Sequence, residues 1–375
     1  MSGPRRALYV LNGFHQGGAE AGLATLLEQG FMKGADFRVL AFFCDDERLR
    51  RRIEGFVGRE NVTLVSEKKR LTFLTLGAGF FVLLRILWLF RPSVVMLSLK
   101  QANIVGRAAL CFFPFARCIA IEHSTRLDEK KMATLYRYLL GFLSFRVDET
   151  WADCQTTLDE TDQFYIWRRK RDKRVIPLFC RPAEIKVKTQ YAFSAPLRAV
   201  IAGRLIASKR HDLVLRAMAD LAREGKVISL TIFGTGPQEE PLRRLSQTLG
   251  LSGCVYFMGH VENWWQQAVD FDVFVLPSER EGFCIVAAEA MMIGLPLLVT
   301  ALGGLRDYSV DDVNALHLSG APLEAVKKGL SRLYDDEPLR ARLGRAGAQK
   351  IASCFSEAVV RNTLSTLTEQ LGQCF

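Results

Sequence analysis

The 375-residue chain is expected to fold as an α/β protein of two doubly wound, Rossmann-like domains. Three observations predict this. Short apolar runs alternate with helical patterns from end to end, as in parallel sheets layered with helices. The rhythm breaks once, between 180 and 195, where the chain is polar, holds Pro182 with Pro196 just beyond, and has no clear period, so the domain linker is expected there. The length also suffices for two ordinary cores.

In the first half the expected strands are 7–11, 37–43, 62–65, 93–97, 118–122, 149–152 and 174–178. In the second they are 199–202, 229–233, 255–258, 273–276, 297–300 and 315–318. Runs such as Val273-Phe274-Val275-Leu276 are apolar at every position, which fits strands covered on both faces. A helix is expected over 21–29, another after Lys209-Arg210 with Leu213, Val214, Ala217 and Leu221 on one face, and another over 285–293, ended by Gly294-Leu295-Pro296. The domains are placed at 1–185 and 192–355, with a terminal helical segment at 356–375.

Composition narrows the function. With 49% hydrophobic and 24% charged residues the chain reads as globular. Nine cysteines, odd in number and without a Cys-x-x-Cys pair, indicate neither a disulfide framework nor a zinc site, and fit a reducing cytoplasm. The five histidines form no ligand pair, and no metal is predicted. Asp270-Phe271-Asp272 has a metal-binding form, yet it leads directly into a core strand and reads as that strand's start. The net charge of +10 gathers at 48–52, 68–70 and 168–174. Such runs attract an anionic membrane surface or form solvated faces; no aromatic-interleaved RNA-binding signature accompanies them, so nucleic acid is not expected. Residues 71–90 are an apolar stretch long enough to span a bilayer, but it contains Arg85 and leads into a strand. A core helix, an interfacial helix and a true span are all open readings of it. No signal peptide is expected, since Met1 to Arg6 passes directly into a strand.

The most informative run is Ser278-Glu279-Arg280-Glu281-Gly282-Phe283-Cys284-Ile285-Val286-Ala287-Ala288-Glu289-Ala290-Met291-Met292, where Glu281 and Glu289 stand eight residues apart across a strand-to-helix turn. The helix start offers free N–H groups and a positive dipole end for a phosphate. A carboxylate within the helix accepts hydrogen bonds from neighbouring sugar hydroxyls. Together they suit a nucleotide-sugar.

These residues resemble the Glu-x7-Glu signature of retaining glycosyltransferases of family 4, which have the GT-B fold of two doubly wound domains facing each other across a cleft. Pro277-Ser278, Glu281-Gly282-Phe283, Glu289-Ala290-Met291 and Gly294-x-Pro296 follow the family's order and spacing. The resemblance implies that Glu281 lies beside the donor sugar, that Glu289 holds the ribose hydroxyls, and that the helix start at Gly282, Phe283, Cys284 and Ile285 meets the donor. Cys284 departs from the usual glycine. The other reading is a buried strand and helix with a solvated glutamate pair.

Gly203-Arg204-Leu205 with Lys209 matches the family's Gly-Arg-Leu-x3-Lys element, and an arginine fork near a lysine can neutralise a pyrophosphate without a metal. A pair of surface bases is the alternative. Gly234, in Phe233-Gly234-Thr235-Gly236, resembles the donor-domain turn, and His260-Val261 the loop that meets the base. Gly303-Gly304-Leu305-Arg306-Asp307 and Asp312-Val313-Asn314 continue the likeness, with Asp where the family commonly has Glu.

In the first half, Asn12-Gly13-Phe14-His15-Gln16-Gly17-Gly18-Ala19-Glu20 follows the first strand, and its adjacent glycines let the backbone approach a ligand. The resemblance places Gly17 and Gly18 against the donor diphosphate; a plain glycine turn is the alternative. His123, in Glu122-His123-Ser124, matches a histidine that reaches the donor sugar, the alternative being a packed or solvated histidine. Ser98-Leu99-Lys100-Gln101 reads equally as acceptor lining or as solvated loop.

The resemblance implies sugar transfer from a nucleoside-diphosphate sugar, with retention, no cofactor and no metal. His123, Glu281, Arg204 and Lys209 are the expected catalytic groups. It also implies a final helix that crosses back to the first domain. The basic surface and the 71–90 stretch point to a glycan or lipid-linked acceptor for envelope glycan or glycolipid synthesis, with the protein cytoplasmic and peripheral at the inner membrane face. A nucleotide-sugar epimerase of the same fold and a non-catalytic membrane-associated scaffold are the alternatives.

Overall fold

The computed structural model describes residues 6–15, 17–67, 71–123, 131–161 and 171–372. The basic residues 68–70 and 168–170, Gln16 and Ser124 therefore lie outside the described residues. The chain divides into two compact units, Met1–Cys180 with Glu357–Phe375, and Arg181–Ser356.

The first unit holds strands β1 (Arg6–Phe14), β2 (Asp36–Cys44), β3 (Val62–Leu64), β4 (Val94–Ser98), β5 (Arg117–Glu122), β6 (Glu149–Ala152) and β7 (Asp172–Val175). Its helices are α1 (Gly18–Glu28), α2 (Glu47–Val57), α3 (Phe73–Phe90), α4 (Lys100–Leu110), α5 (Lys131–Phe142) and α6 (Gln155–Thr161). The second unit holds β8 (Leu197–Ala202), β9 (Ile228–Phe233), β10 (Val255–Gly259), β11 (Val273–Leu276), β12 (Leu297–Val299) and β13 (Leu316–His317). Its helices are α7 (His211–Arg223), α8 (Glu239–Thr248), α9 (Ile285–Met292), α10 (Leu305–Tyr308), α11 (Pro322–Asp335) and α12 (Glu337–Phe355); α13 (Glu357–Gly372) belongs to the first unit.

The first sheet runs β3-β2-β1-β4-β5-β6-β7 and the second β10-β9-β8-β11-β12-β13. Every pairing between named strands is parallel. In both sheets the chain leaves the first strand in one direction and returns to its other side, so the strand order reverses between β1 and β4 and between β8 and β11. At such a switch point the loops beyond the strand ends diverge and leave room for a ligand.

Alternation along β1 builds the first core. Ala7, Tyr9 and Leu11 join Leu23 and Leu26 of α1, Ile53 of α2 and Val360 and Leu364 of α13 on one face. Leu8 and Val10 join Phe42, Leu83 and Leu87 of α3, and Ala102 and Ala109 of α4, on the other. This is the period-two geometry of a strand covered on both sides.

Residues 73–90 are a layer helix of this unit. Thr75, Gly79, Leu83, Leu87 and Phe90 face inward, and a Cβ on Gly79 would come within 2.6 Å of the Phe42 ring, so the glycine sets how closely α3 approaches β2. The rest of the helix remains apolar but exposed, with Leu74 at 84% and Phe81 at 70%. The inward stripe and the outward apolar face together made the sequence read as one continuous apolar run.

Most boundaries shift by one to three residues from the sequence expectation, and three differences have a clear physical reason. β1 continues through Asn12, Gly13 and Phe14 because β2 extends equally far, pairing Gly13 with Phe43 and Phe14 with Cys44. The last strand of the first unit ends at Val175; Ile176 and Leu178 are buried beyond the ladder. The segment read as a linker packs instead on the second unit, whose first residue is Arg181 rather than 192. Within it the Lys188 amide donates to the Ile293 carbonyl at 2.9 Å, and the Tyr191 hydroxyl donates to the Gly294 carbonyl at 3.1 Å. The buried Arg340 guanidinium donates to the Tyr191 carbonyl. Its backbone is held by groups distant in sequence, which leaves no periodic signature.

Candidate functional site

The second unit gathers its predicted residues at the carboxyl ends of β8, β9 and β11. Lys209 closes a short turn before α7 and donates to both oxygens of Glu281, at 2.7 and 2.9 Å. Burial by itself would lower the Lys209 ammonium, but the Glu281 carboxylate outweighs it and holds lysine above its ordinary value. Nearby, His211 opens α7 fully buried, and burial followed by the charge of Lys209 pushes it down to about 4, so it is neutral. Arg204 is exposed; its carbonyl accepts from the Ile206 amide at 2.9 Å, and its guanidinium makes no hydrogen bond or ion pair among the described residues.

One backbone bond and one ion pair hold the Lys209 and Glu281 loops together. Glu279 donates its amide to the Ser208 carbonyl at 2.8 Å, while Arg210 pairs with the Glu279 carboxylate at 2.6 Å. The turns after β8 and β9 also lock. Gly203 donates to Phe233, and Gly234 donates to Gly259. Gly234 has φ +138°, and a Cβ there would fall 1.9 Å from the Gly203 carbonyl oxygen. No other residue type fits such an approach.

Helix α9 starts immediately after this cradle. Ile285 and Val286 open it with amides that have no acceptor within the helix. Its N-cap is Cys284 at φ 64°, ψ 62°, the left-handed conformation that glycine adopts freely. This explains why glycine is usual at the position, and the cysteine adopts the same backbone at a cost of about 1–2 kcal/mol. Burial, then the Glu281 charge, push the Cys284 thiol well above its ordinary value, so it stays protonated. The Tyr308 hydroxyl holds the turn by donating toward the carbonyls of Phe283 and Cys284, at 3.0 and 2.9 Å. Gly304 bonds back to the Gly282 carbonyl, and a Cβ on Gly303 would meet the carbonyls of Glu281 and Gly282 at 2.4 Å.

Glu289 lies one helix turn further on and accepts from the indole of Trp264 at 2.7 Å. Burial pushes its carboxyl up to about 7, against the hydrogen bond from Trp264, which lowers it. Trp264 in turn packs against Phe233 and Phe274. His260 is exposed and Val261 half-buried on the loop that follows β10. The Asp-x-Asp run does not converge: Asp270 is exposed, whereas Asp272 is buried and accepts the Arg198 amide at 2.8 Å.

In the first unit, Gly17 caps α1 with an extended backbone and Gly18 is exposed. The Glu20 carboxylate folds over Gly17, where a Cβ would come within 2.3 Å of it. His123, at the end of β5, has its Nε2 2.9 Å from Ser98 Oγ at the end of β4. Asn12 fixes the start of α4, accepting from the Ala102 amide and donating to Gln101.

Sequence reasoning missed Trp264, Tyr308 and Asp153, the last being a neighbour of His123. Trp264 and Asp153 sit in segments without periodicity, and their partners are 25 and 30 residues away. Tyr308 directly follows the Gly303–Asp307 element and was within reach of that match.

Two doubly wound parallel-sheet units define the GT-B class of fold. The structure of Anabaena HepE in complex with UDP-glucose aligns with a TM-score of 0.78 over 97% of this chain and 99% of that one; at 16% identity this likeness shows the fold alone. Within the class, residues 186–350 match the family described as Glycosyl transferases group 1. A D-inositol 3-phosphate glycosyltransferase of Streptomyces avermitilis is 32% identical over 192 residues, 47% of this chain and 40% of that protein. The lipopolysaccharide core biosynthesis glycosyltransferase LpsE of Rhizobium meliloti is 26% identical over 194 residues, 51% and 56% of the two chains. The matched region thus spans roughly half of these relatives or less.

Proposed function

We propose that the protein is a nucleotide-sugar-dependent glycosyltransferase that transfers with retention, without metal, to a lipid-linked or membrane-associated acceptor hydroxyl. The carrying observation is the union of Lys209, Glu281, the Gly203 and Gly234 turns and the α9 start at the ends of β8, β9 and β11. A lysine ammonium has three donors, and two reach Glu281, which leaves one for a phosphate oxygen. Arg204 and the α9 amides add the remaining positive groups for a diphosphate leaving group, fixed charge of the kind that lowers such a barrier. Glu289 is the group for the ribose hydroxyls, Glu281 and His123 for the donor sugar, Gly17 and Gly18 for the diphosphate, and His260-Val261 for the base.

Retention is carried over from the resemblance to the retaining family, and the state of the acidic and sulfur groups bears on how it would be reached. Glu281 is bound on both oxygens and Cys284 is a protonated thiol, so neither is a ready nucleophile. Front-face attack, in which the departing phosphate oxygen takes the acceptor proton, fits this arrangement. The match to Glycosyl transferases group 1 and the relatives named for sugar transfer support the class of reaction.

The membrane reading draws on the outer face of α3. Phe80 packs edge-on against Phe81 and Phe112, while Trp88 packs on Phe113 and Phe113 on Phe115, so an aromatic surface extends from the helix onto the 111–116 loop. Exposed apolar surface of this kind, beside basic residues such as Arg85 and Arg91, suits the interface of an anionic bilayer at the cytoplasmic face. A thermal-shift screen of nucleotide-sugars, followed by turnover with and without a lipid extract, tests the whole. A donor that raises the melting temperature and is consumed only with lipid supports the reading; turnover of the donor alone indicates an epimerase, and no donor at all a scaffold.

A further inference from the structure

Strands β4, β5 and β6 lie side by side; β4 ends in Ser98, and His123 and Asp153 directly follow the ends of β5 and β6. Ser98 Oγ is 2.9 Å from His123 Nε2, and His123 Nδ1 is 3.6 Å from Asp153 Oδ2. The His123 and Asp153 side chains are only 9% and 5% exposed. Neither Nδ1 of His123 nor Oδ1 of Asp153 has a hydrogen-bond partner among the described residues. Buried polar groups are costly unless paired, and the Asp153 carboxylate is turned toward the imidazole through its other oxygen, Oδ2, the atom 3.6 Å from Nδ1. The other charges close by are already engaged. Glu122 is held by Arg107, whose remaining donors go to Asn103 and the Leu140 carbonyl.

A neutral imidazole has one N–H and one lone pair. A lone pair on Nδ1 would face carboxylate oxygens and be repelled, whereas an N–H there is attracted. We propose that Asp153 is a positioning residue that holds His123 as the Nδ1–H tautomer, so that Nε2 presents an acceptor to hydroxyl groups at the ends of β4 and β5. Ser98 is such a hydroxyl, 2.9 Å from Nε2, and in this tautomer it is the donor of that bond. Resting on the glycosyltransferase reading, a hydroxyl of the donor sugar is the second, and Ser98 rotates to admit it.

The test is ring 15N NMR on the full-length protein labelled at histidine, recorded at a pH about two units above the ordinary imidazole value of ~6.5, with His123 assigned by His123→Gln. The wild type is expected to show Nδ1–H. Asp153→Ala is expected to shift the tautomer ratio at least about tenfold toward Nε2–H, and Asp153→Glu to restore it in part. Signals of the other four histidines report whether each variant is folded. An Nε2–H majority in the wild type overturns the proposal without any variant, and so does an unchanged ratio in Asp153→Ala. Since the measurement needs no donor, it decides the tautomer whether or not sugar transfer is found. Where a donor is found, Asp153→Ala is expected to lower kcat about tenfold or more with KM within about threefold, and an unaltered kcat removes the functional half of the proposal.

Discussion

The ligand-facing loops of the two units are built differently. In the second unit, side chains, glycine turns and a helix start are bonded to each other across three strands, so the arrangement stands preformed. In the first unit the strand ends hold a small, buried polar line, Ser98-His123-Asp153, while the outer side of α3 carries exposed apolar side chains such as Leu74 and Phe81. A site for a common chemical group such as a diphosphate can be fixed in detail by the fold. Surfaces that meet a particular acceptor need only a rigid scaffold beneath them, and the scaffold leaves little trace in sequence motifs.

The comparison is tested first where the effect is largest. Lys209→Ala is expected to abolish transfer by about a thousandfold, and to destabilise the protein by about 3–5 kcal/mol because Glu281 is left as an uncompensated buried charge. Adding Glu281→Gln should return most of the stability and none of the activity, as read by urea denaturation and turnover. Equal stability in single and double variants would show that the pair is not the buried unit described here.

Gly234→Ala comes next. The Cβ would collide with the Gly203 carbonyl oxygen, so a loss of roughly 3 kcal/mol or more is expected. Gly250, at φ +71° with open space around it, is the control: Gly250→Ala should cost only about 1 kcal/mol.

In the first unit the two sides of α3 should part company. Leu83→Ala, at the packed side, is expected to cost about 2–4 kcal/mol, whereas Phe81→Ser, on the outer side, should change stability by no more than about 0.5 kcal/mol. Phe81→Ser combined with Trp88→Ser should instead weaken flotation with anionic liposomes. If it left flotation intact, the membrane reading of this face would lose its support.

The smallest effect concerns pH. Glu289 has its carboxyl raised from 4.5 to about 7, so between those values the folded chain holds a proton that the unfolded chain has lost, and stability falls as pH rises across that window and is constant above it. Ribose hydroxyls donate to the ionised form, so donor binding should strengthen about tenfold from pH 6 to pH 8. Glu289→Gln should flatten that dependence, measured by calorimetry with the nucleotide-sugar that the thermal screen selects. A wild-type profile that is already flat would argue that Glu289 does not meet the donor.

The sequence by itself determined the strand pattern and most of the second unit's cradle. Central strands such as β4 and β11 were legible because parallel strands buried on both faces are apolar throughout, whereas the edge strand β7 is polar and exposed and its bounds were misplaced. Gly203 and Gly234 were legible because tight turns demand glycine, and Lys209, Glu281 and Glu289 because they stand in motifs that resemble a known family's. Tertiary structure alone decided the rest. It folded the apparent linker onto the second unit through Lys188 and Tyr191, gave α3 one packed and one bare side, and put Trp264 on Glu289 and Asp153 beside His123. Those outcomes depend on which strands become neighbours, and adjacency in a sheet joins residues that no local period connects.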